Sequence, residues 1–371
     1  MSARGTRALV RGLGTRPVRA LGLAAGFACV LLSGGYGPHS ALDPAGPQAQ
    51  RIATLWWLFF WVCTVVYILV LLVLFIPTLR RRRSTTGELT AGVSPAPGPA
   101  SDAPVTRPDP ASERLTSTVV GTAVGITTVI LFILLVADMV TGRGIHSNPD
   151  PNPLTVKLVG HQWWWEVQYP DVVPVNIVND ANEVHIPTGR PVKFELSSSD
   201  VIHSFWIPNL HGKKDMVPGH PIGTWLQADR PGMYVGQCAE FCGHQHANMR
   251  LAVIAHEPKE FAAWLQKRRE PQTPPRNSEE IKGQQVFLGS TCVMCHTIQG
   301  TKARATLGPD LTHIGGRKMI AAGELLNTRD HLASWISNAS ALKPGVRMPP
   351  NQLSSHDLNS LLDYLESIKS Q

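Results

Sequence analysis

The sequence predicts a multi-domain membrane protein with a two-helix transmembrane hairpin, an all-β sandwich and a small helical domain. Three observations support this prediction. Two long uncharged stretches occupy the first part of the chain, and short β-branched or aromatic segments separated by glycine, proline and asparagine follow them. A charged, proline-rich stretch then separates these segments from a C-terminal part with helical periodicity. Membrane anchoring and two extramembrane domains are therefore expected.

The two uncharged stretches predict the transmembrane helices. Residues 52–76 contain no charged side chain, and such a run crosses a hydrocarbon core of about 30 Å. The second predicted helix, residues 115–140, begins with an equally uncharged run. Four arginines, Arg80–Arg83, follow the first helix, and arginines next to a membrane helix favour the cytoplasmic side. The loop 77–114 is therefore predicted to be cytoplasmic, and both extramembrane domains are predicted on the opposite side.

The N-terminal segment 1–35 resembles a targeting signal. Residues 1–20 contain five arginines and no acidic residue, and a short apolar run, Leu21–Leu32, comes before Ser33-Gly34-Gly35. This order is typical of a cleaved secretory signal peptide. An uncleaved amphipathic anchor is the alternative.

The net charge of +7 gives no support for binding of nucleic acid. The excess of basic residues lies in the N-terminal segment and the cytoplasmic loop, whereas the chain from Leu115 onward has 22 basic and 22 acidic residues. The charge therefore belongs to targeting and topology rather than to a basic binding surface.

The segment 150–266 predicts an all-β sandwich. Its short β-branched or aromatic stretches are the predicted strands: Leu154–Val159, Arg190–Leu196, Ile222–Leu226 and Leu251–Ala255. Charge and proline mark residues 267–277 as a linker. In the domain 278–371 we expect Ser278 to cap a first helix, and a leucine stripe predicts the last helix: Leu358, Leu361, Leu362 and Leu365.

The twelve residues Cys238–Met249 indicate a metal site. They place two cysteines, a histidine and a methionine in the pattern CxxxCxxxHxxM. These soft ligands favour copper, and because a mononuclear blue-copper site needs one cysteine, a second cysteine allows two sulfurs to bridge a copper pair. Zinc accepts Cys, Cys and His, but methionine is a poor zinc ligand. A disulfide between Cys238 and Cys242 is a further alternative that explains neither His246 nor Met249.

His203 is the candidate for a further ligand from outside this loop. It ends an apolar run in the sequence VIHSFWIP. A single histidine in such a place can equally be a buried structural residue.

The segment His203-Ser-Phe-Trp206 together with Cys238–Met249 resembles the dinuclear copper centre of cytochrome c oxidase subunit II. The resemblance implies a cupredoxin-like Greek-key fold with the copper loop between its last two strands. It also implies the copper ligands, which are His203, Cys238, the backbone carbonyl of Glu240, Cys242, His246 and Met249. The Glu240 side chain would then bind magnesium at the interface with subunit I, although a solvated carboxylate is the simpler reading.

The sequence Cys292-Val-Met-Cys295-His296 predicts covalent attachment of a c-type haem. Two thiols three residues apart bond the vinyl groups, and the adjacent histidine ligates the iron. A redox dithiol or half of a zinc site are alternatives for a bare CxxC. The remaining cysteines, Cys29 and Cys63, fall in apolar stretches and are expected to be small hydrophobic residues.

Met348 is the predicted sixth ligand of the haem iron. Pro344, Pro349 and Pro350 stiffen its loop, which can hold a thioether against a flat ring. Met294 and Met319 are the competing candidates. This C-terminal part resembles small bacterial class I cytochromes c, and the resemblance implies an all-α domain.

Two further residues receive roles only from the resemblance to the oxidase family. Trp163, the first of three consecutive tryptophans, corresponds to an aromatic residue through which electrons enter the copper pair. Glu113 stands where relatives have a glutamate that feeds a proton channel of subunit I. Three tryptophans in a β-domain can also be core residues, and Glu113 can be an interfacial charge.

The resemblance predicts subunit II of an aerobic haem-copper terminal oxidase with a fused cytochrome c domain, the caa type, in the bacterial inner membrane. Electrons from a cytochrome c or a quinol-oxidising complex would pass through the haem and the copper pair to subunit I. The complex, with subunits I and III, would couple this transfer to proton translocation. A nitrous oxide reductase would need a second histidine-rich copper domain. A membrane-anchored carrier or copper-delivery protein would need no partner subunit.

Overall fold

A computed structural model of the chain describes residues 39–84, 110–147 and 150–369, with only the backbone for 77–84. The predicted signal peptide and Cys29 lie outside these residues. Helices α1 (Pro47–Ser84) and α2 (Pro110–His146) are long and apolar enough to cross a membrane. Both extend beyond the predicted spans, because an uncharged run marks the hydrocarbon core whereas a helix continues into polar residues at the interface.

The start of α1 and the end of α2 both contact the β-domain. The Gln48 side chain donates a hydrogen bond to the Trp225 carbonyl over 3.2 Å. At the end of α2, the His146 ring lies 3.2 Å from the Lys214 ammonium. These two helix ends therefore lie on the same side as the β-domain, and the end of α1 and the start of α2 lie away from it.

The β-domain contains two sheets and a two-stranded ribbon. Its strands are β1 (Leu154–His161), β2 (Trp164–Tyr169), β3 (Val178–Ala181), β4 (Glu183–Pro187), β5 (Val192–Ser198), β6 (His203–Phe205), β7 (Lys214–Met216), β8 (Ile222–Leu226), β9 (Gly232–Gln237) and β10 (Arg250–His256). The orders are β3-β2-β1-β5-β8, β4-β10-β9 and β6-β7. Strand β1 is parallel to β5 and β10 is parallel to β4. All four predicted strands are present.

The core of the β-domain extends to the copper motif. Inward-facing side chains alternate along the strands, as Val156 and Leu158 of β1 show, and both are fully buried. The same apolar cluster includes Cys238, Cys242 and Met249. Burial of these three residues fixes the loop between β9 and β10 against a rigid sandwich.

The C-terminal part is mainly helical. Helix α3 (Pro258–Arg269) contacts the β-domain, and α4 (Ser278–Gly289), α5 (Arg329–Leu342) and α6 (Ser355–Ser367) form the following domain. Two-residue strands β11 (Met319–Ile320) and β12 (Leu325–Leu326) form a small ribbon. The predicted leucine stripe lies on α6, where Leu361, Leu362 and Leu365 are buried.

The cap of α4 differs from the prediction. Asn277 is the N-cap, because its side-chain oxygen accepts from the Glu280 backbone N–H at 2.9 Å. The predicted cap, Ser278, is instead the first helical residue. Asparagine and serine cap helices about equally well, so residue type alone could not choose between two adjacent positions.

The start of the predicted linker is ordered. Its first three residues continue α3, and Arg268 among them is buried. The bounds 267–277 stay a prediction, but this arginine is not a solvated linker charge.

Buried charges join the β-domain to the helical domain. Asp180 of β3 pairs with Arg317 at 2.7 Å and with Arg268 at 3.5 Å, and all three side chains are almost completely buried. Glu183 of β4 accepts from the Met319 backbone N–H at 3.0 Å. Arg268 belongs to α3, which packs on the β-domain. The bonds to Arg317 and Met319 cross between the two domains, so the domains are docked against each other.

Candidate copper and haem sites

The loop between β9 and β10 carries most of the predicted copper ligands. The Cys238 backbone N–H donates to the Met249 carbonyl at 2.9 Å and closes the loop. Inside it, the His246 N–H donates to the Gly243 carbonyl at 3.1 Å. Gly243 has a φ of 108°, which a side chain would strain. The turn brings Cys242 and His246 to the same side of the loop.

The six predicted donors meet in two groups, one around each sulfur. The Cys238 sulfur lies 3.8 Å from Nδ1 of His203 and 3.2 Å from the carbonyl oxygen of Glu240. The Cys242 sulfur lies 3.7 Å from Nδ1 of His246 and 3.8 Å from the Met249 sulfur. Ligand atoms of His203, Cys238 and Cys242 all lie within 4.8 Å of one another. The structure thus brings all six donors together.

This donor set fits two soft metal ions better than the alternatives. Cys238 and Cys242 are free thiols, so no disulfide joins them. Structural zinc takes four ligands in a tetrahedron and does not use methionine or a backbone carbonyl. Six donors arranged around two sulfurs would suit a pair of copper ions.

Each of the two thiols also shifts the pKa of the other. Hydrogen bonding from Cys242 lowers the pKa of the Cys238 thiol, and the same interaction raises the pKa of Cys242. One thiolate is therefore already stabilised within the loop, and the thiolate is the form that binds metal.

Asp200 orients the histidine ligand that lies outside the loop. Its carboxylate accepts from Nε2 of His203 at 2.8 Å, which leaves Nδ1 facing the cysteines. A Cβ on Gly160 would lie 2.7 Å from the His203 ring, so glycine gives this ring its place. Asp200 was not among the predicted site residues, because its contact with the His203 ring becomes visible only in the fold.

The Glu240 side chain points away from the sulfurs. It forms an ion pair with Lys213 at 3.2 Å, and both side chains are at least 40% exposed. The Glu240 backbone carbonyl therefore faces the Cys238 sulfur, whereas its carboxylate pairs with Lys213 at the surface. The magnesium role stays a prediction.

The predicted haem residues line one cavity of about 740 Å³, a volume typical of ligand pockets. Cys292 and Cys295 lie at a short 3₁₀ turn, Thr291–Met294, with His296 directly after it. Nδ1 of His296 lies 2.8 Å from the Pro309 carbonyl, which leaves Nε2 for a metal. Burial lowers the pKa of His296 and favours the neutral imidazole that ligates iron. These residues fit a covalently attached haem.

The predicted iron ligand Met348 and both competing candidates, Met294 and Met319, line this cavity. Met294 lies between the two cysteines and is 70% exposed. Met319 belongs to β11, and Met348 lies in the loop between α5 and α6. The structure places Met348 at the cavity as predicted, and its ligand role stays a prediction.

Trp163 contacts both sites. Its ring lines the haem cavity, and its indole Nε1 donates to the Cys242 carbonyl at 3.0 Å. The neighbouring Gln162 side chain donates to the same carbonyl at 2.8 Å. The haem cavity and the copper loop therefore share one aromatic wall.

Lys343 is a buried cation of this region, and nothing in its sequence context predicted its burial. Only 3% of its surface is exposed, and burial lowers its pKa to about 8. Its ammonium donates to the carbonyls of Trp163, Asn248 and Ala321 at 3.3, 2.6 and 2.9 Å. Because these acceptors come from both domains, Lys343 bridges them.

Glu113 and Cys63 belong to neither site. Glu113 lies exposed in the first turn of α2, and Cys63 is exposed on α1. The proton-uptake role of Glu113 is thus left as a prediction.

Comparison with known proteins agrees with these two sites. Residues 174–256 match the family described as cytochrome c oxidase subunit II, periplasmic domain, and residues 281–369 match cytochrome c. Cytochrome c oxidase subunit 2 of Alkalihalophilus pseudofirmus is 35% identical over 357 residues, covering 92% of this chain and 95% of the relative. This chain belongs to the cytochrome c oxidase subunit II family. The predicted family and fold class are confirmed.

Other members of the subunit II family match shorter parts. Cytochrome c oxidase subunit 2 of Bacillus sp. (strain PS3) is 31% identical, covering 59% of this chain and 64% of the relative. A crystal structure of the periplasmic domain of subunit II from Bradyrhizobium japonicum is 31% identical. It covers 34% of this chain and 96% of that chain, with a TM-score of 0.30. Subunit II membership implies a copper site in the β-domain, and the cytochrome c match implies haem in the C-terminal domain.

Proposed function

We propose that this chain relays electrons within a bacterial respiratory cytochrome c oxidase, from its own haem domain through its copper loop to subunit I. The observation that carries this proposal is the shared wall between the two sites. Trp163 lines the cavity of the haem motif and donates to the carbonyl of the copper ligand Cys242. Both redox sites on one chain, in contact through one aromatic ring, suit a relay.

The proposed cofactors are two copper ions and one covalently attached haem c. When bound, they supply one-electron redox chemistry, and the chain supplies ligands and surroundings. The side chains of His203, Cys238, Cys242, His246 and Met249 and the Glu240 carbonyl would hold the copper ions. Cys292 and Cys295 would attach the haem, and His296 and Met348 would ligate its iron.

The chain keeps water away from the copper ligands and fixes their orientation. His203, Cys238, Cys242 and Met249 are each at most 2% exposed. The apolar surroundings of a metal site control its dielectric and its potential. Ligands anchored to a β-sandwich also move little, which favours fast electron transfer because little reorganisation is needed.

The helix pair supports the proposed topology. The start of α1 and the end of α2 contact the β-domain, which supports an extracytoplasmic position for both redox domains and the N-terminus in the bacterial inner membrane. Subunits I and III would associate with the complex, with magnesium at Glu240 on the subunit I interface. The electron donor would be a cytochrome c or a quinol-oxidising complex, and the complex would couple transfer to proton translocation.

Purification with spectroscopy tests this function. We expect the chain to copurify with a large polytopic subunit that consumes oxygen, and to show a near-infrared mixed-valence copper band together with a c-type haem band. Four-line copper hyperfine coupling, typical of a single copper ion, would contradict the copper pair. A chain that is fully active as a carrier or copper-delivery protein without partner subunits would contradict the oxidase role.

The Met348→Leu variant is expected to keep its haem but lower the haem reduction potential. Covalent attachment depends on Cys292 and Cys295, whereas methionine as an axial ligand raises the potential. Potentiometric titration of the haem absorption measures the change. Met294→Leu is the matched control and should leave the potential unchanged. A fall in potential with Met319→Leu but not with Met348→Leu would assign the ligand to Met319.

The Glu113→Ala variant tests the proton-uptake proposal. Glu113 is exposed at the start of α2, on the side away from the β-domain, where it can accept protons from the cytoplasm. We expect the variant to lower proton pumping per oxygen consumed in the assembled complex, measured with a pH electrode in vesicles. Unchanged pumping and oxygen uptake would show that Glu113 is an interfacial charge.

A further inference from the structure

A short segment of the haem domain lies directly on the copper loop. In this segment Lys343 donates to the carbonyl of Asn248, the residue before the copper ligand Met249. The next residue, Pro344, accepts from the Gln245 side chain at 2.8 Å. Gly345 follows, and a Cβ there would lie 3.4 Å from the Trp163 ring. Three consecutive residues thus contact the copper loop or its aromatic wall.

The same segment leads to the haem cavity. Met348, which lines that cavity, is five residues after Lys343. A movement of Lys343 away from the copper loop would therefore move a wall of the haem cavity as well. The segment links the two sites mechanically.

The surroundings of Lys343 explain why this contact has a defined geometry. An ammonium that is 3% exposed is costly to bury unless its protons are all bonded. Its three acceptors are Trp163 and Asn248 in the β-domain and Ala321 in the haem domain. The three bonds form together only when the domains are docked, so one arrangement satisfies the ammonium.

A linker alone would not impose this arrangement. Domains joined by a flexible connection move relative to each other unless their interface is large and well packed. Residues 270–277 contain no helix or strand. The relative position of the domains must therefore come from contacts such as those of Lys343.

We propose that Lys343 is a positioning residue, which holds the haem cavity against the copper loop so that electrons pass between the two sites in one docked arrangement. This proposal rests on the proposed relay function. Lys343 is not among the proposed ligands of either cofactor. It lines the haem cavity and acts through the backbone of Trp163 and Asn248.

The test compares Lys343→Met with the native chain in the assembled oxidase. After rapid reduction of the haem by a soluble donor, transfer from haem to copper is followed by absorbance. We expect Lys343→Met to slow this step by about tenfold or more, because small displacements at a reacting site have effects of this order. Haem and copper spectra should stay native, because no ligand has changed. Both midpoint potentials are measured as well, because Lys343 is a buried charge at the haem cavity, and the transfer rates are compared at equal driving force. Lys302→Met, which removes an exposed lysine of the haem domain, is the matched control and should transfer electrons at the native rate.

Hydrogen exchange provides a readout that does not depend on electron transfer. The Arg250 N–H donates to the Ala322 carbonyl at 3.0 Å and the Met319 N–H donates to Glu183 at 3.0 Å, so both amides report docking. We expect Lys343→Met to expose both amides to exchange while the strands of the β-domain stay protected. Lys343→Gln keeps two donors and should have a smaller effect in both measurements. It also replaces Lys343→Met if that variant does not fold.

The outcomes separate the two proposals. Native transfer rates, or native protection of Arg250 and Met319, in both Lys343 variants would overturn the role of Lys343. If the native chain itself passes no electrons from haem to copper, the relay function fails. In that case, comparing the protection of the Arg250 and Met319 amides between the native chain and the Lys343 variants would still decide whether Lys343 holds the domains together.

Discussion

Replacing Cys242 by serine is expected to abolish the copper pair and with it oxygen consumption by the complex. Cys242 is the sulfur around which His246 and Met249 converge, at 3.7 and 3.8 Å. Serine is a hard oxygen ligand and does not replace a thiolate for copper. Changes in residues that only support a metal ligand reduce affinity by about 10- to 100-fold, so loss of a ligand should lower activity at least about 100-fold. Metal analysis and oxygen uptake measure the two effects.

The structure provides a matched control for the copper prediction. Cys63 is also a free cysteine, but it is exposed on α1 and lies in neither site. Cys63→Ser should bind copper and consume oxygen like the native chain. In Cys242→Ser the haem absorption should persist, because the haem residues lie in another domain. A Cys242→Ser variant that retains two copper ions and native activity would show that the loop does not hold a shared pair.

The close grouping of the proposed copper ligands was predictable because most of them lie within twelve consecutive residues. The spacing CxxxCxxxHxxM combines soft donors that a structural role does not require together. His203 was less certain from the sequence, since it lies 35 residues before Cys238 and a single histidine can equally be a buried structural residue. Resemblance to a known family was needed to favour it as a ligand. Its orienting partner Asp200 was missed, because an exposed-looking carboxylate in a turn carries no signal until the fold shows what it faces.

The docking of the two domains could not be predicted in the same way. Asp180 and Arg317 are 137 residues apart, and each alone is an ordinary charged residue in a polar stretch. Arg268 belonged to a segment whose charge and proline indicated a solvated linker. Lys343 lies between helix α5 and a proline-rich loop, where lysine is usually solvated. Their burial depends on one domain meeting the other, and neither periodicity nor spacing in the sequence records that meeting.

Replacing Asp180 by asparagine is expected to destabilise the docked domains by about 3–5 kcal/mol, because it leaves two buried guanidinium groups without a counter-charge. Asp180 is 1% exposed, and its partners Arg317 and Arg268 are buried on either side of the interface. Urea denaturation of residues 150–371, followed by tryptophan fluorescence, measures the loss. Asp171→Asn is the matched control. It breaks an ion pair with Arg269 of α3 that is more accessible to solvent than the pairs of Asp180, so only a small loss of stability is expected.

The pH dependence distinguishes an ion cluster from simple packing. Burial raises the pKa of Asp180, but Arg317 and Arg268 outweigh this effect and hold the pKa at about 2, below its ordinary value of 3.8. The ionised carboxylate therefore contributes fully to the free energy of unfolding above about pH 4, and this contribution is lost as the pH falls through about 2. Asp180→Asn should lack this loss, so the native and variant stabilities should converge in acid.

Replacing Asp180, Arg268 and Arg317 together by apolar residues should recover much of the stability, because no uncompensated charge remains. Two results together would show that these side chains act by shape alone. The triple variant would be as unstable as Asp180→Asn, and the stabilities of the native chain and Asp180→Asn would change in parallel with pH.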